Sequence, residues 1–126
     1  MPLITEEWIN INEGDGLVDT EVNVQDGQRL VFVADGTIWA GVWFTGRNGP
    51  QGWNNIANDT KFPMSNAHAY SLLGFLDDEP FEIGRGVERL YNPGTGGSSR
   101  LYLQINDDTP GNGDGAFSCR IQLWQD

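Results

Sequence analysis

A single cysteine, Cys119, occurs in the 126 residues, so neither an internal disulfide nor a thiolate zinc cluster can form. It lies in a run with strand character, where a small buried hydrophobe is its expected role. Basic residues are scarce as well. Lys and Arg total 7 against 18 Asp and Glu, a formal net charge of −11. Such a surface repels a phosphate backbone and excludes a nucleic-acid partner; it disfavours anionic membrane for the same reason. No stretch approaches the roughly 20 apolar residues of a membrane span, so no membrane insertion is expected. The opening Met-Pro-Leu-Ile-Thr-Glu-Glu lacks the basic and apolar regions of a classical signal peptide. The expectation is a soluble protein, cytoplasmic or exported by another route. Segments with helical period are also missing, and no internal repeat is visible.

Turn formers are abundant instead. Gly and Pro together fill 23 positions, 17 and 6 respectively, which suits many short strands. Period-two alternation runs through residues 7–12 and 17–24. Asp26-Gly27 is a hairpin dipeptide. Residues 29–34 are apolar on both faces and predict a central strand. Asp35-Gly36 predicts a turn into a further strand at 37–45, which carries Trp39 and Trp43. Periodicity then fails over 46–65, a loop long enough to imply a function. Strands resume over 69–76 and 80–84, with an edge strand or turn at 85–89, and the chain closes with strands at 100–106 and 116–124. The pattern predicts one all-β domain over residues 1–126, an antiparallel β-sandwich of jelly-roll-like type.

The segment Asn106-Asp107-Asp108-Thr109-Pro110-Gly111-Asn112-Gly113-Asp114-Gly115 joins the last two strands. Calcium takes six to eight hard oxygens at about 2.3–2.6 Å, from carboxylates, amides and backbone carbonyls, and this loop is rich in all three. The ligand order of an EF-hand is not met. On spacing alone a plain Asn/Asp/Gly hairpin loop is the favoured reading. Trp53, set among Asn54, Asn55 and Asn58, can stack on a pyranose face or plug the loop against the sandwich. His68 is the sole histidine, and neither Ser65 nor Ser71 has a nucleophile-elbow context. Asp77-Asp78-Glu79 predicts a solvated hairpin tip. An enzyme is not expected.

The run Leu101-Tyr-Leu-Gln-Ile-Asn-Asp107, the following Pro/Gly/Asn/Asp loop, and Gly115-Ala-Phe-Ser resemble the end of the bacterial PA-I galactophilic lectin family. Gly49-Pro50-Gln51-Gly52 matches a second motif of that family, and Trp8 and Ser71-Leu72-Leu73-Gly74 fall in the same order. The resemblance implies a small calcium-dependent lectin that binds a terminal galactose, or a related monosaccharide, through the ion. It implies metal ligands at the Val42 carbonyl, Asp107, the Gly111 carbonyl and Asn112. Gly113 stands where the family has a second amide, so Asp114, or else Asp108, is expected to fill that place. Ile56 and Asp59 stand where the family holds the sugar with a histidine and a glutamine. Trp53 and Asn55, together with Asp107, Asp108 and Asn112 on the ion side, complete the implied sugar site. The partners implied are galactose-type glycans, with a homo-oligomer, dimer or tetramer, supplying avidity. A module of another class, stabilised by calcium and binding a protein partner without sugar, is the alternative; a small hydrolase is the third.

Overall fold

The computed structural model describes residues 2–125. Two antiparallel sheets face each other, and no helix occurs among the described residues. The strands are β1 (Leu3–Asn12), β2 (Val18–Gln25), β3 (Gln28–Trp39), β4 (Arg47–Asn48), β5 (Leu72–Leu76), β6 (Glu79–Glu82), β7 (Gly86–Leu90), β8 (Ser98–Ile105) and β9 (Asp114–Gln125). One sheet has the order β1-β9-β3, with β4 and β7 both on the far side of β3; the other is β2-β8-β5-β6. The all-β antiparallel sandwich expected from the strand pattern is the observed fold.

Alternation builds the core. Leu30, Phe32 and Ala34 on β3, and Phe117, Cys119, Ile121 and Leu123 on β9, all point inward and are buried. Leu72, Leu101, Leu103 and Ile105 meet them from the second sheet. Burying one such large side chain contributes roughly 1.5–3 kcal/mol. Cys119 is fully buried, and burial pushes its thiol up to about 12, so it behaves as an inert hydrophobe.

Two expectations are corrected. Val33, on a strand expected to be apolar on both faces, is exposed on the outer side of the sheet. The turn at Asp35-Gly36 does not form. β3 runs on to Trp39 because β9 offers an unbroken partner from Gln28↔Gln125 to Trp39↔Asp114, and long-range pairing overrides the local turn dipeptide. The expected strand at 37–45 therefore ends at Trp39, and residues 40–46 form a turn instead.

This register positions the loop between β8 and β9. On one flank of the start of β9 lies the end of β3. On the other lies the end of β1, where Asn12 pairs with Ala116 and the Glu13 N–H donates to the Gly115 carbonyl at 3.0 Å. The 107–113 loop is thus clamped between residues 39–41 and Glu13.

Candidate functional site

Asn106, fully buried at the end of β8, organises the surroundings. Its amide nitrogen donates to the carbonyls of Met64 (3.0 Å) and His68 (2.9 Å), and its Oδ1 accepts the Met64 N–H at 2.9 Å. Its backbone pairs with Tyr70 and Ser71. Every strong hydrogen-bonding group of this asparagine is used, as burial demands. The long loop is therefore tied down from the strand that carries Asp107. Further bonds, from Trp53 N–H to Ala69 and from Ala57 N–H to Ala67, fold it back on itself.

Asp107 follows directly and is only 4% exposed. Its Oδ1 accepts the Thr109 N–H at 2.9 Å, whereas its buried Oδ2 has no hydrogen-bond partner. The nearby Glu13 carboxyl, also buried, offers none unless a proton lies between the two acids. Glu13 itself accepts the N–H groups of Gly111 (3.1 Å) and Gly113 (3.0 Å), fixing the loop backbone with its amides turned toward β1. Burial pushes the Asp107 carboxyl up to about 7; the Thr109 N–H opposes the shift, and Glu13 and Asp108 add to it. Tyr70 is raised too, first by burial and then by the charges of Asp107 and Asp108.

The raised carboxyl has a consequence for stability. Between about pH 4 and pH 7 the folded cation-free protein binds this proton more tightly than the unfolded chain does. Its contribution to stability is therefore present at low pH and is lost as pH rises through 7. Urea titrations in EDTA at pH 4.5 and 7.5 should show a larger decline for the wild type than for D107N; equal declines would place the carboxyl in a solvated site.

Asn112 completes the cluster. Its side-chain amide meets the carbonyls of Thr109 and Ala40, each at 2.7 Å. Turned nitrogen-first it donates to both. Nitrogen-first is therefore the orientation that satisfies this cluster as it stands; a cation among the three oxygens would require the amide to turn. Gly41 leaves the space for this amide, since a Cβ there would sit 2.6 Å from the Asn112 carbonyl oxygen. Among the described residues, no three His, Cys, Asp or Glu side chains converge to hold a metal. A cation here would draw chiefly on the Asp107 carboxylate, the Asn112 amide and backbone carbonyls, a hard-oxygen set of the kind that suits calcium rather than zinc.

The segments near Val42 and between Asp107 and Asp114 do meet, since Gly41 packs against Asn112. The Val42 carbonyl is already filled by the indole N–H of Trp39 (3.1 Å) and by the hydroxyl (2.8 Å) and N–H (3.1 Å) of Thr45; the Ala40 carbonyl is the one that faces Asn112. Gly111 contributes its N–H to Glu13. Asp114 turns to Arg47, 2.7 Å away in an exposed ion pair. Asp108 is exposed and, with Asp107, lines a cleft of about 530 Å3 that Thr60, Lys61, Phe62 and Pro63 also line.

Of the residues expected to face a sugar, Trp53 is half-buried between Phe44 and Tyr70, with ring centroids 5.8 and 6.3 Å away. Asn55 gives its carbonyl to the Ala69 N–H, Ile56 is 49% exposed and bridges His68, and Asp59 caps the Lys61 N–H at 3.0 Å. None of these four lines the cleft beside Asp107; the next residues, 60–63, do. Ser71 donates to the His68 carbonyl rather than to its ring, and that ring meets Glu82, so no nucleophile–base pair forms there. A second cleft of about 540 Å3, on the outer sheet face by Arg29, Val31 and Trp124, lies away from Asp107 and holds one carboxylate, Glu88, 4.0 Å from Arg29.

No protein-family model matches the chain, and no curated protein matches it. No helix among the described residues is long and apolar enough to cross a membrane. Among solved structures, the chain is similar to one described as the EclA N-terminal domain, a PllA-like lectin, with a TM-score of 0.66 and 20% sequence identity over 98% of each chain. At that identity the likeness is one of fold, and it extends over nearly the whole sandwich.

Proposed function

We propose that the protein binds carbohydrate through calcium, as a lectin of the PA-I type taking a terminal galactose or a related monosaccharide. The observation that carries this reading is the buried, unpartnered Oδ2 of Asp107, next to a loop whose Asn112 amide faces two carbonyls. Asp107, Asn112 and the carbonyls of Ala40 and Thr109 are the proposed ligands. When bound, calcium supplies positive charge and open coordination positions for two vicinal hydroxyls. Glu13 orients the loop by holding the N–H groups of Gly111 and Gly113. Asp108 and the 60–63 segment lie where further hydroxyls would be bonded in a cleft of ligand size. The lectin-like fold of the solved neighbour supports the same reading. A dimer or tetramer would multiply a weak single-site affinity.

Isothermal titration should show calcium uptake, and a glycan array should then show binding that EDTA abolishes. Calcium uptake with a blank array would overturn the sugar reading and leave a calcium-stabilised module that binds another protein.

A further inference from the structure

We propose that Trp43 and Phe44 form a second saccharide subsite, stacking on the ring adjacent to the one held at Asp107. The inference rests on the reading above and names a part of the ligand that reading leaves open. Trp43 is 85% exposed and Phe44 60%. They are not on a loose loop. The Val42 carbonyl, gripped by three donors from Trp39 and Thr45, closes the turn that presents them, and Asn48 braces it at the Thr45 and Gly46 carbonyls, each at 3.4 Å. An ordered indole held in water forgoes the stabilisation that burial would bring, so its presentation points to a partner.

Two observations direct that partner toward the cation loop. The rings form a continuous row: Trp43 meets Phe44 edge-on at 5.6 Å, Phe44 meets Trp53 at 5.8 Å, Trp53 meets Tyr70 at 6.3 Å, and Tyr70 meets Phe62 at 6.2 Å. Phe62 is a wall of the cleft beside Asp107. The turn also touches the loop directly, since Gly41 packs on Asn112. Trp43 is two residues further on, at most about 7–8 Å along the chain, within reach of a neighbouring sugar ring. The net charge of −11 disfavours an anionic lipid or nucleic acid on this turn. A neutral pyranose, with one apolar face and a rim of hydroxyls, is the occupant that suits an indole in an acidic field.

The test titrates the calcium-loaded full chain with methyl galactoside against galactobiose, and methyl mannoside against mannobiose. The disaccharide of the accepted sugar should bind about five- to tenfold more tightly than its monosaccharide. W43A should erase that increment while leaving monosaccharide affinity, calcium affinity and melting temperature unchanged, and W43F should restore part of it. If the monosaccharide binds and W43A takes the disaccharide as tightly as wild type does, the subsite is overturned and the calcium–sugar site stands. If wild type binds none of the four sugars in calcium, both readings fall. A dimer in sedimentation, or binding to phosphatidylcholine vesicles, that W43A removes would assign the turn to another occupant and overturn the proposal.

Discussion

Replacing Asp107 by asparagine should stabilise the cation-free protein and abolish its response to calcium. The two effects have one cause. Asp107 is buried beside Glu13, its carboxyl is pushed up to about 7, and its Oδ2 has no donor. At neutral pH the folded state must either carry an ill-solvated charge or hold a proton. Asparagine has nearly the same shape, keeps an oxygen for the Thr109 N–H, and brings an N–H that Glu13 can accept. Removing an uncompensated buried charge is worth about 1–2 kcal/mol here. For a chain of this length that corresponds to a rise of roughly 3–8 °C in melting temperature in EDTA. In calcium the wild type should gain stability by mass action, whereas the variant, without the unpartnered Asp107 carboxylate, should bind at least about 100-fold more weakly. Differential scanning calorimetry with and without calcium reads both. A variant less stable than wild type in EDTA would mean that the acid pair is well accommodated; a retained calcium shift would remove Asp107 from the ligand set.

Replacing Gly113 by alanine should damage the same site from the opposite direction. A Cβ at Gly113 would overlap the Trp39 carbonyl oxygen outright, and would lie 2.7 Å from the Trp39 carbonyl carbon and 2.8 Å from the Gly41 nitrogen. All three are backbone atoms of an ordered strand end and turn, so no flexible side chain can yield. The loop must lift, losing the Gly113 N–H bond to Glu13 and the approach of Asn112 to Ala40. Overpacking and a buried Glu13 carboxylate short of one donor together should cost about 3 kcal/mol or more, read as a lower urea midpoint with unchanged slope. Calcium should then restore little. A variant of wild-type stability would show that the loop does not rest on residues 39–41.

Much of the sandwich was legible because burial in a sheet imposes period two. The strands carrying Ile11, Val22 and Val24, and Leu101 to Ile105, follow that rule. The exceptions were set by partners distant in sequence. Asp35-Gly36 reads as a turn until β9 is laid alongside it. In the candidate site, the sequence pointed to Asp107 and Asn112 through their side chains, and the structure places Asp107 buried and Asn112 against Ala40. Positions where a carbonyl or an ion-pair partner decides were not legible. The Val42 carbonyl is taken because it closes the 42–45 turn, and Asp114 is drawn off by Arg47 from the neighbouring β4. Glu13 did leave a signal. It continues the inward parity of Ile9 and Ile11, so an acid was due to point into the core at the end of β1. Trp53, by contrast, proved to be held between two other rings, something composition alone does not reveal.

Asn106 grips the Met64–His68 stretch through its side chain while its own backbone leads straight into Asp107. Asp107 and the 60–63 stretch, which line one cleft, are thereby tied to each other through one buried residue. If the cleft takes a guest as proposed, its lining is already tied in place, and differences between guests should then show chiefly in how long each stays.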